Sequence, residues 1–241
     1  MVAFSGAHVV VTGGTGALGR AVVAALRAAG AVCHVPNLIE NELAQFPHAA
    51  DPDVRVSRGV DLADEASVQR FYGGLPPLWA SVHLAGGFAM SGIAETAGAD
   101  FMAQMRMNAL SCFLCSAAAV RSIRARREPG PEGAGGGRIV NVSARPALEP
   151  RAGAGMVAYA ASKAAVAALT QALAEEVVAE GIWVNAVAPS VLDTPANRTA
   201  MPDAPHEKWV KPAAIAELIA FLASPQNHVT RGAVIPVYGQ S

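Results

Sequence analysis

The sequence places a tyrosine and a lysine four residues apart, at Tyr159 and Lys163, with a serine upstream at Ser143. Near the N-terminus, a glycine-rich turn spans residues 13–19. A phenol beside an ammonium group can act as a proton donor with a lowered pKa, and a glycine turn can seat a dinucleotide. Together these patterns predict hydride-transfer chemistry.

Residues four apart are neighbours on a helix, so Tyr159 and Lys163 can face the same cleft. An unperturbed tyrosine has a pKa near ~10. At an effective dielectric of about 20, an ammonium roughly 5.5 Å away favours the phenolate by about 3 kcal/mol, or roughly two pKa units. A positively charged nicotinamide ring would add to this effect. Because alanines surround the pair, we predict a buried functional pair rather than a solvated helix face.

The glycine turn follows an apolar run at residues 9–11 and precedes an alanine-rich segment. Glycines let the main chain approach a pyrophosphate, and the free N–H groups of a helix start favour its charge. The spacing G-x-x-G-x-x-G differs from the usual G-x-G-x-x-G, but its position after a strand favours nucleotide binding over a purely structural turn. The coenzyme contacts predicted here are Gly13, Thr15, Gly16, Ala17, Leu18 and Gly19.

The end of the second predicted strand is where a dinucleotide site usually has an acid for the ribose, or an arginine for a 2′-phosphate. Here the residue is Asn37. A neutral amide can bond to a hydroxyl but neither repels nor neutralises a phosphate, so NAD and NADP both stay open. Asp61 is predicted to accept from the adenine amino group, with a helix N-cap as the equal alternative.

Short β-branched runs alternate with alanine-rich segments, which is the pattern of βαβ units. We therefore predict an α/β fold, a Rossmann-type doubly wound parallel sheet flanked by helices, as a single domain over residues 1–241. The predicted strands cover residues 9–11, 31–35, 54–56, 80–84, 138–142, 182–187 and 233–237. The predicted helices cover residues 18–29, 101–127, 158–180 and 213–223.

The segment 189–212 carries five prolines and little periodicity, so we predict a substrate loop or lid there. The chain is 52% hydrophobic and 15% charged, enough for one large core. Its formal net charge of -1 provides no field that would favour nucleic acid or an anionic membrane. The predicted partner is a small molecule.

The N-terminal residues 1–6 lack a basic region, and the apolar run after them is short, which predicts a cytoplasmic protein without a signal peptide or membrane span. Cys112 and Cys115 form a C-x-x-C, but no second pair or nearby histidine completes a zinc set. A structural role is favoured for both cysteines, and no metal site is predicted.

In this order, the motifs resemble those of the short-chain dehydrogenase/reductase superfamily, in its compact single-domain branch. The resemblance runs from Val9 to Tyr238. The matching pieces are the glycine turn, Asp61-Leu62, Ala85-Gly86-Gly87, Asn108, Asn141-Val142-Ser143, Tyr159-Ala160-Ala161-Ser162-Lys163, and Val184-Asn185-Ala186-Val187-Ala188-Pro189 running to Thr194. Each piece is modest evidence, whereas the ordered set is highly specific.

The resemblance implies an enzyme that transfers hydride between NAD or NADP and a carbonyl or alcohol substrate. Tyr159 would be the acid/base, and Ser143 would steady the substrate and the tyrosine. Lys163 would hold the nicotinamide ribose and lower the tyrosine pKa, while Asn108 would position a relay water. The further coenzyme contacts implied are Asp61, Leu62, Ala85, Gly86, Pro189, Val191 and Thr194. Family members commonly form homodimers or homotetramers, which the resemblance implies here as well.

The chain departs from the family pattern at several positions. Ala17 stands where glycine is common, as in dihydropteridine reductases, and Leu84 replaces the usual asparagine before Ala85. The gap of 16 residues from Ser143 to Tyr159 is longer than expected, so the reach of the serine stays open. Two alternatives remain at this point: a nucleotide-sensing protein without turnover, and a pteridine reductase.

Overall fold

The computed structural model describes residues 4–241. Residues 1–3, which belong to the N-terminal segment analysed above for a signal peptide, lie outside the described residues. The strands are β1 His8–Thr12, β2 Val32–Asn37, β3 Val54–Arg58, β4 Ala80–His83, β5 Gly137–Val142, β6 Ile182–Pro189 and β7 Val234–Val237. They form one sheet in the order β3-β2-β1-β4-β5-β6-β7, and all neighbouring strands are parallel.

The α-helices of the described residues cover both faces of this sheet. They are α1 Ala17–Ala28, α2 Glu40–Leu43, α3 Glu65–Gly73, α4 Gly98–Gln104, α5 Ser111–Arg124, α6 Arg145–Leu148, α7 Val157–Glu176, α8 Pro195–Ala200 and α9 Pro212–Ala223. Helices α1 and α9 pack on one face, while α3, α5 and α7 pack on the other. The predicted doubly wound α/β fold is therefore confirmed.

Strand β1 shows why a central strand can carry three successive valines. Val9 and Val11 pack with α1 and α9, whereas Val10 packs on the opposite face against α3 and α5. Successive side chains point to opposite faces of a strand, and both faces here are covered by helices. An uninterrupted valine run is the expected result.

The predicted helix over residues 101–127 is wrong as a single element. The chain forms α4, then a wider π-helical segment at Met105–Leu110, then α5, which ends at Arg124. An extra residue in a helical turn is a frequent feature of functional sites because it turns a side chain out of the regular pattern. Here the widened segment carries Asn108.

Two other predicted segments differ from the structure. Helix α7 ends at Glu176, and a short 3-10 turn leads to Gly181, whose φ of +70° lies in the left-handed region. The segment 189–212 is more ordered than a plain loop. Thr194 caps the short helix α8, and a parallel bridge joins Leu192 to Val210.

Among the described residues, α7 is the one helix whose length and hydropathy would allow it to cross a membrane. It also buries polar groups inside the protein, including Lys163 and Thr170. The Thr170 hydroxyl accepts a hydrogen bond of 2.9 Å from Asn141 on β5. This is the packing of a core helix against a sheet.

Cys112 and Cys115 lie on α5 with both thiols free and buried. Burial raises the pKa of Cys112 to about 12 and that of Cys115 further still. A thiol that keeps its proton is a poor nucleophile and a poor metal ligand. These values support the structural role favoured for the C-x-x-C pair.

We predict that acid destabilises the fold, because two histidines are buried. His83 bonds to Ser81 and Asn141 at 2.8 Å, and His34 lies 3.0 Å from His8. Burial lowers the pKa of both His83 and His34 from 6.5 to about 4. Between these values the unfolded chain binds protons that the folded chain does not, so stability rises with pH through this window.

We therefore expect the free energy of unfolding to fall between pH 6.5 and about 4, by on the order of 2–3 kcal/mol per histidine. Urea unfolding at several pH values measures this slope. Replacing His34 with glutamine should reduce this slope by about half, since His83 remains, whereas His228→Gln, at an exposed position, should leave it unchanged. A wild-type stability that stays constant across the window would contradict the prediction.

Candidate active site

The candidate site lies where the parallel strands end at one edge of the sheet. Gly13 follows β1, Asn37 ends β2, Leu84-Ala85-Gly86 follow β4, Ser143 follows β5 and Pro189 ends β6. Strands β1 and β4 are neighbours at the point where the order reverses: β2 and β3 continue the sheet on one side, and β5, β6 and β7 continue it on the other. In open α/β sheets, ligands bind in the crevice at such a switch point.

The glycine turn packs so tightly that side chains would not fit. A Cβ at Gly19 would lie 2.1 Å from the Gly13 carbonyl oxygen, and a Cβ at Gly13 would lie 2.8 Å from the Ala85 nitrogen. Helix α1 then begins at Ala17 without a side-chain cap or an acidic residue in its first turn. Its free N–H groups can bind an anion such as a pyrophosphate.

At the end of β2, the Asn37 amide is buried and donates a 3.2 Å hydrogen bond to the Thr15 hydroxyl. The Thr15 hydroxyl in turn donates to the carboxylate of Glu42 on α2. Sequence reasoning did not find Glu42. The sequence feature that could have indicated Glu42 is the pair of glutamates, Glu40 and Glu42, just after the end of β2.

Asp61 and Thr194 already have local hydrogen bonds. The Asp61 carboxylate accepts from the Ala63 amide at 2.8 Å, and it is not the helix cap considered above, since Asp64 caps α3. The Thr194 hydroxyl accepts from the Asn197 amide at the start of α8. Their predicted coenzyme contacts, like those of Leu62, Pro189 and Val191, remain predictions.

Asn108 forms the centre of a buried polar cluster. Its amide nitrogen, with two hydrogens to donate, lies 3.0 to 3.2 Å from three acceptors: the Gly87 carbonyl, Gln104 and the Ser162 hydroxyl. Its amide oxygen accepts from the Gly87 N–H at 3.1 Å. A Cβ at Gly86 would lie 2.4 Å from this oxygen and 3.3 Å from Lys163 Nζ. The strand end, the widened helical segment and α7 therefore meet here.

Tyr159 and Lys163 face the same side of α7, with Lys163 Nζ 5.9 Å from the centre of the tyrosine ring. Lys163 is buried and donates a 3.0 Å hydrogen bond to the Val142 carbonyl at the end of β5. The ring of Phe88 meets Tyr159 edge-on at 5.0 Å. Phe88 was not among the site residues predicted from the sequence.

Burial raises the pKa of Tyr159 to about 12 and lowers that of Lys163 to about 8. The direction for Tyr159 is opposite to the predicted one. Desolvation disfavours the phenolate of Tyr159 more than the nearby ammonium favours it. At neutral pH the site therefore holds a protonated phenol beside a protonated amine.

The Ser143 side chain is 2% exposed, and its hydroxyl donates a 2.8 Å hydrogen bond to the backbone carbonyl of Lys163. The structure thus brings Ser143 against the backbone of the helix that carries Tyr159. The predicted contact of Ser143 with the substrate remains a prediction.

A dinucleotide fits these features. The glycine cradle would be blocked by any Cβ at Gly13 or Gly19, and the N-terminus of α1 is uncapped. The Asn37 side-chain oxygen is buried and has no hydrogen-bond partner among residues 4–241. A buried acceptor without a partner is costly, so its presence points to a ligand that would supply the donor.

A nucleotide cradle at the switch point of a doubly wound sheet, next to a Tyr/Lys pair, defines a nicotinamide-dependent oxidoreductase. The family model described as short chain dehydrogenase matches residues 7–205. This chain therefore belongs to the short-chain dehydrogenase family and is an NAD(P)-dependent oxidoreductase.

Known proteins match the sequence over nearly the whole chain. Galactitol 2-dehydrogenase of Rhizobium johnstonii is 34% identical over 96% of this chain and 93% of its own length. L-xylulose reductase of Mesocricetus auratus is 30% identical over 98% and 96%. A solved structure described as a short chain dehydrogenase/reductase family protein has a TM-score of 0.84 at 28% identity, covering 98% of this chain and 97% of that one.

Proposed function

We propose that this protein reduces a carbonyl compound to an alcohol, with Tyr159 as the proton donor. The observation that carries the proposal is the Tyr159 and Lys163 pair on one face of α7, held at the ends of β4 and β5. Burial raises the pKa of Tyr159 to about 12, so the phenol holds the proton that a donor to a carbonyl oxygen needs at neutral pH.

The proposed coenzyme contacts are the set predicted from the sequence: the glycine turn with Thr15, Ala17 and Leu18, then Asn37, Asp61, Leu62, Ala85, Gly86, Tyr159, Lys163, Pro189, Val191 and Thr194. When bound, the nicotinamide coenzyme supplies the hydride. Lys163 would hold the nicotinamide ribose, since its ammonium is fixed at the strand ends and charged below about pH 8. Asn108, anchored on Gly87 and Ser162, would position the water that returns a proton to Tyr159.

The substrate would have an apolar portion next to its carbonyl group. Phe88 and Met90, in the segment after β4, are largely exposed although both are apolar, and Phe88 contacts the Tyr159 ring. The Ser91 amide joins this segment to the Gly155 carbonyl across the mouth of the site at 3.0 Å. An exposed apolar rim around a proton donor is typical of a small-molecule pocket. The segment 189–212 would close the remaining side as the substrate loop.

The protein would act as a homodimer or homotetramer in the cytoplasm. Phe101 and Met102 on α4 and Phe113 on α5 expose apolar side chains on neighbouring helices. Exposed apolar side chains of this kind are suited to contact with a second copy of the chain. Sedimentation of the purified protein would measure the assembly, and a monomer at micromolar concentration would contradict it.

Turnover tests the function directly. The purified protein is mixed with NADH or NADPH and a panel of aromatic, aliphatic and polyhydroxylated ketones and aldehydes, while the absorbance of the reduced nicotinamide is followed. We expect reduction, with larger kcat/KM for apolar carbonyl compounds. Coenzyme binding without turnover on any member would instead favour the nucleotide-sensing alternative, and selective reduction of quinonoid dihydropterin would favour the pteridine reductase.

Replacing Ser143 with alanine is expected to have a small kinetic effect, below about 10-fold in kcat/KM. Its hydroxyl is used on the Lys163 carbonyl, so the variant should mainly lose about 1 kcal/mol of stability. Ser224→Ala is a matched control, because Ser224 is buried and also donates to a backbone carbonyl, that of Phe221. A loss of about 10²-fold or more in kcat would instead show that Ser143 stabilises the transition state.

A further inference from the structure

The end of β2 carries an unusual arrangement of three polar side chains, Asn37, Thr15 and Glu42. Asn37 is 4% exposed, and its Nδ2 donates to Thr15 while its Oδ1 has no partner among the described residues. The Thr15 hydroxyl in turn donates a hydrogen bond to the Glu42 carboxylate. The buried amide is therefore joined through one hydroxyl to a carboxylate at the edge of the cleft.

We propose that Glu42, with Asn37 and Thr15, seats the adenosine ribose of the coenzyme and selects NAD over NADP. The proposal rests on the coenzyme-dependent function above and names the coenzyme and the residue that selects it. Asn37 occupies the strand-end position of the usual acid, and the negative charge comes instead from the following helix α2.

The chemistry of the acceptors supports a ribose hydroxyl. Asn37 Oδ1 and the Glu42 carboxylate can each accept a hydrogen bond, and a free 2′-hydroxyl can donate one. A 2′-phosphate has only acceptor oxygens when fully ionised, and it brings about -1.5 to -2 charges toward Glu42. It would leave the buried Asn37 oxygen without a donor and place two anions together.

The cations around this seat are already engaged. Arg20 Nε donates to the Thr15 carbonyl at 2.7 Å, and Arg58 at the end of β3 pairs with Glu40 at 3.4 Å. The Glu42 carboxylate bonds to Thr15. It is therefore the acidic group bonded to the Asn37 and Thr15 pair.

Dissociation constants of NADH and NADPH, measured without substrate by nicotinamide fluorescence, test the selection. We expect the wild-type protein to bind NADH at least about 30-fold more tightly than NADPH, given one carboxylate facing the extra phosphate. Glu42→Gln keeps the side-chain shape and removes the charge, so it should reduce this ratio about 10-fold, mainly through tighter NADPH binding. Glu42→Ala should change the ratio in the same direction.

Glu65→Gln is the control, because Glu65 is an exposed carboxylate on α3 that accepts from Gln69, so its removal releases no arginine. It should leave the ratio unchanged. Equal affinities, an NADPH preference in the wild-type protein, or a Glu42→Gln ratio equal to that of Glu65→Gln would each overturn the selection while leaving the oxidoreductase function intact. If neither nucleotide binds, the coenzyme-dependent function itself fails, and the seat fails with it.

Discussion

Replacing Tyr159 with phenylalanine is expected to lower kcat for carbonyl reduction by about 10²- to 10⁴-fold, because the variant has no proton to donate to the substrate oxygen. The ring and its edge-on contact with Phe88 are retained, so packing should change little. The nicotinamide coenzyme should still bind with an affinity within a few-fold of the wild type. Single-turnover kinetics with saturating coenzyme measure the loss.

Tyr238→Phe provides the control for removing a phenol from elsewhere in the chain. Tyr238 follows β7, and Arg145 lies over its ring at 5.0 Å. We expect kcat to stay within about two-fold of the wild type in this variant, since surface substitutions away from special contacts usually have small effects. A Tyr159→Phe enzyme as active as the control would exclude the phenol as proton donor and remove the basis of the proposed mechanism.

Replacing Gly19 with alanine is expected to destabilise the protein by about 3 kcal/mol or more and to abolish coenzyme binding. The new methyl group would lie 2.1 Å from the Gly13 carbonyl oxygen and 2.5 Å from Gly14 Cα. Both contacts are with backbone, which cannot rotate away as a side chain can, so the turn itself must shift. Chemical denaturation and nucleotide fluorescence measure the two losses.

Gly16→Ala is the control for stability within the same turn. A Cβ at Gly16 would lie 3.4 Å from its nearest neighbour, the Gly13 carbonyl oxygen, and the Gly16 φ of -71° suits any residue. We expect its free energy of unfolding to change by less than about 1 kcal/mol. If Gly19→Ala were as stable as Gly16→Ala, the close approach at Gly19 would not hold in solution.

The proton chemistry of the site depends on burial as much as on spacing. The four-residue spacing predicts that Lys163 lowers the pKa of Tyr159, whereas burial raises the pKa of Tyr159 to about 12 and lowers that of Lys163 to about 8. Both charged forms lose water in the same cleft, and this cost exceeds their mutual influence. At neutral pH the phenol of Tyr159 therefore holds its proton.

The fold was predictable because its signals are local. Val9 to Val11 are apolar on both strand faces, the glycines at 13 and 19 permit a turn that no other residue could enter, and Tyr159 and Lys163 share a face through helical spacing alone. The errors lie where local signals compete with packing. The widened segment around Asn108 resembles ordinary helix in sequence, and the proline-rich segment contains α8 and a bridge between distant residues.

The sequence by itself determined the sheet, the nucleotide turn and the Tyr159 and Lys163 pair, since each depends on residue type and short-range spacing. Only the tertiary structure decided that the Ser143 hydroxyl is used on the Lys163 carbonyl and that Glu42 reaches Thr15. The direction of a side chain depends on which distant backbone or helix packs against it. Burial likewise decided the protonation of Tyr159, because desolvation is a property of the assembled cleft and not of neighbours along the chain.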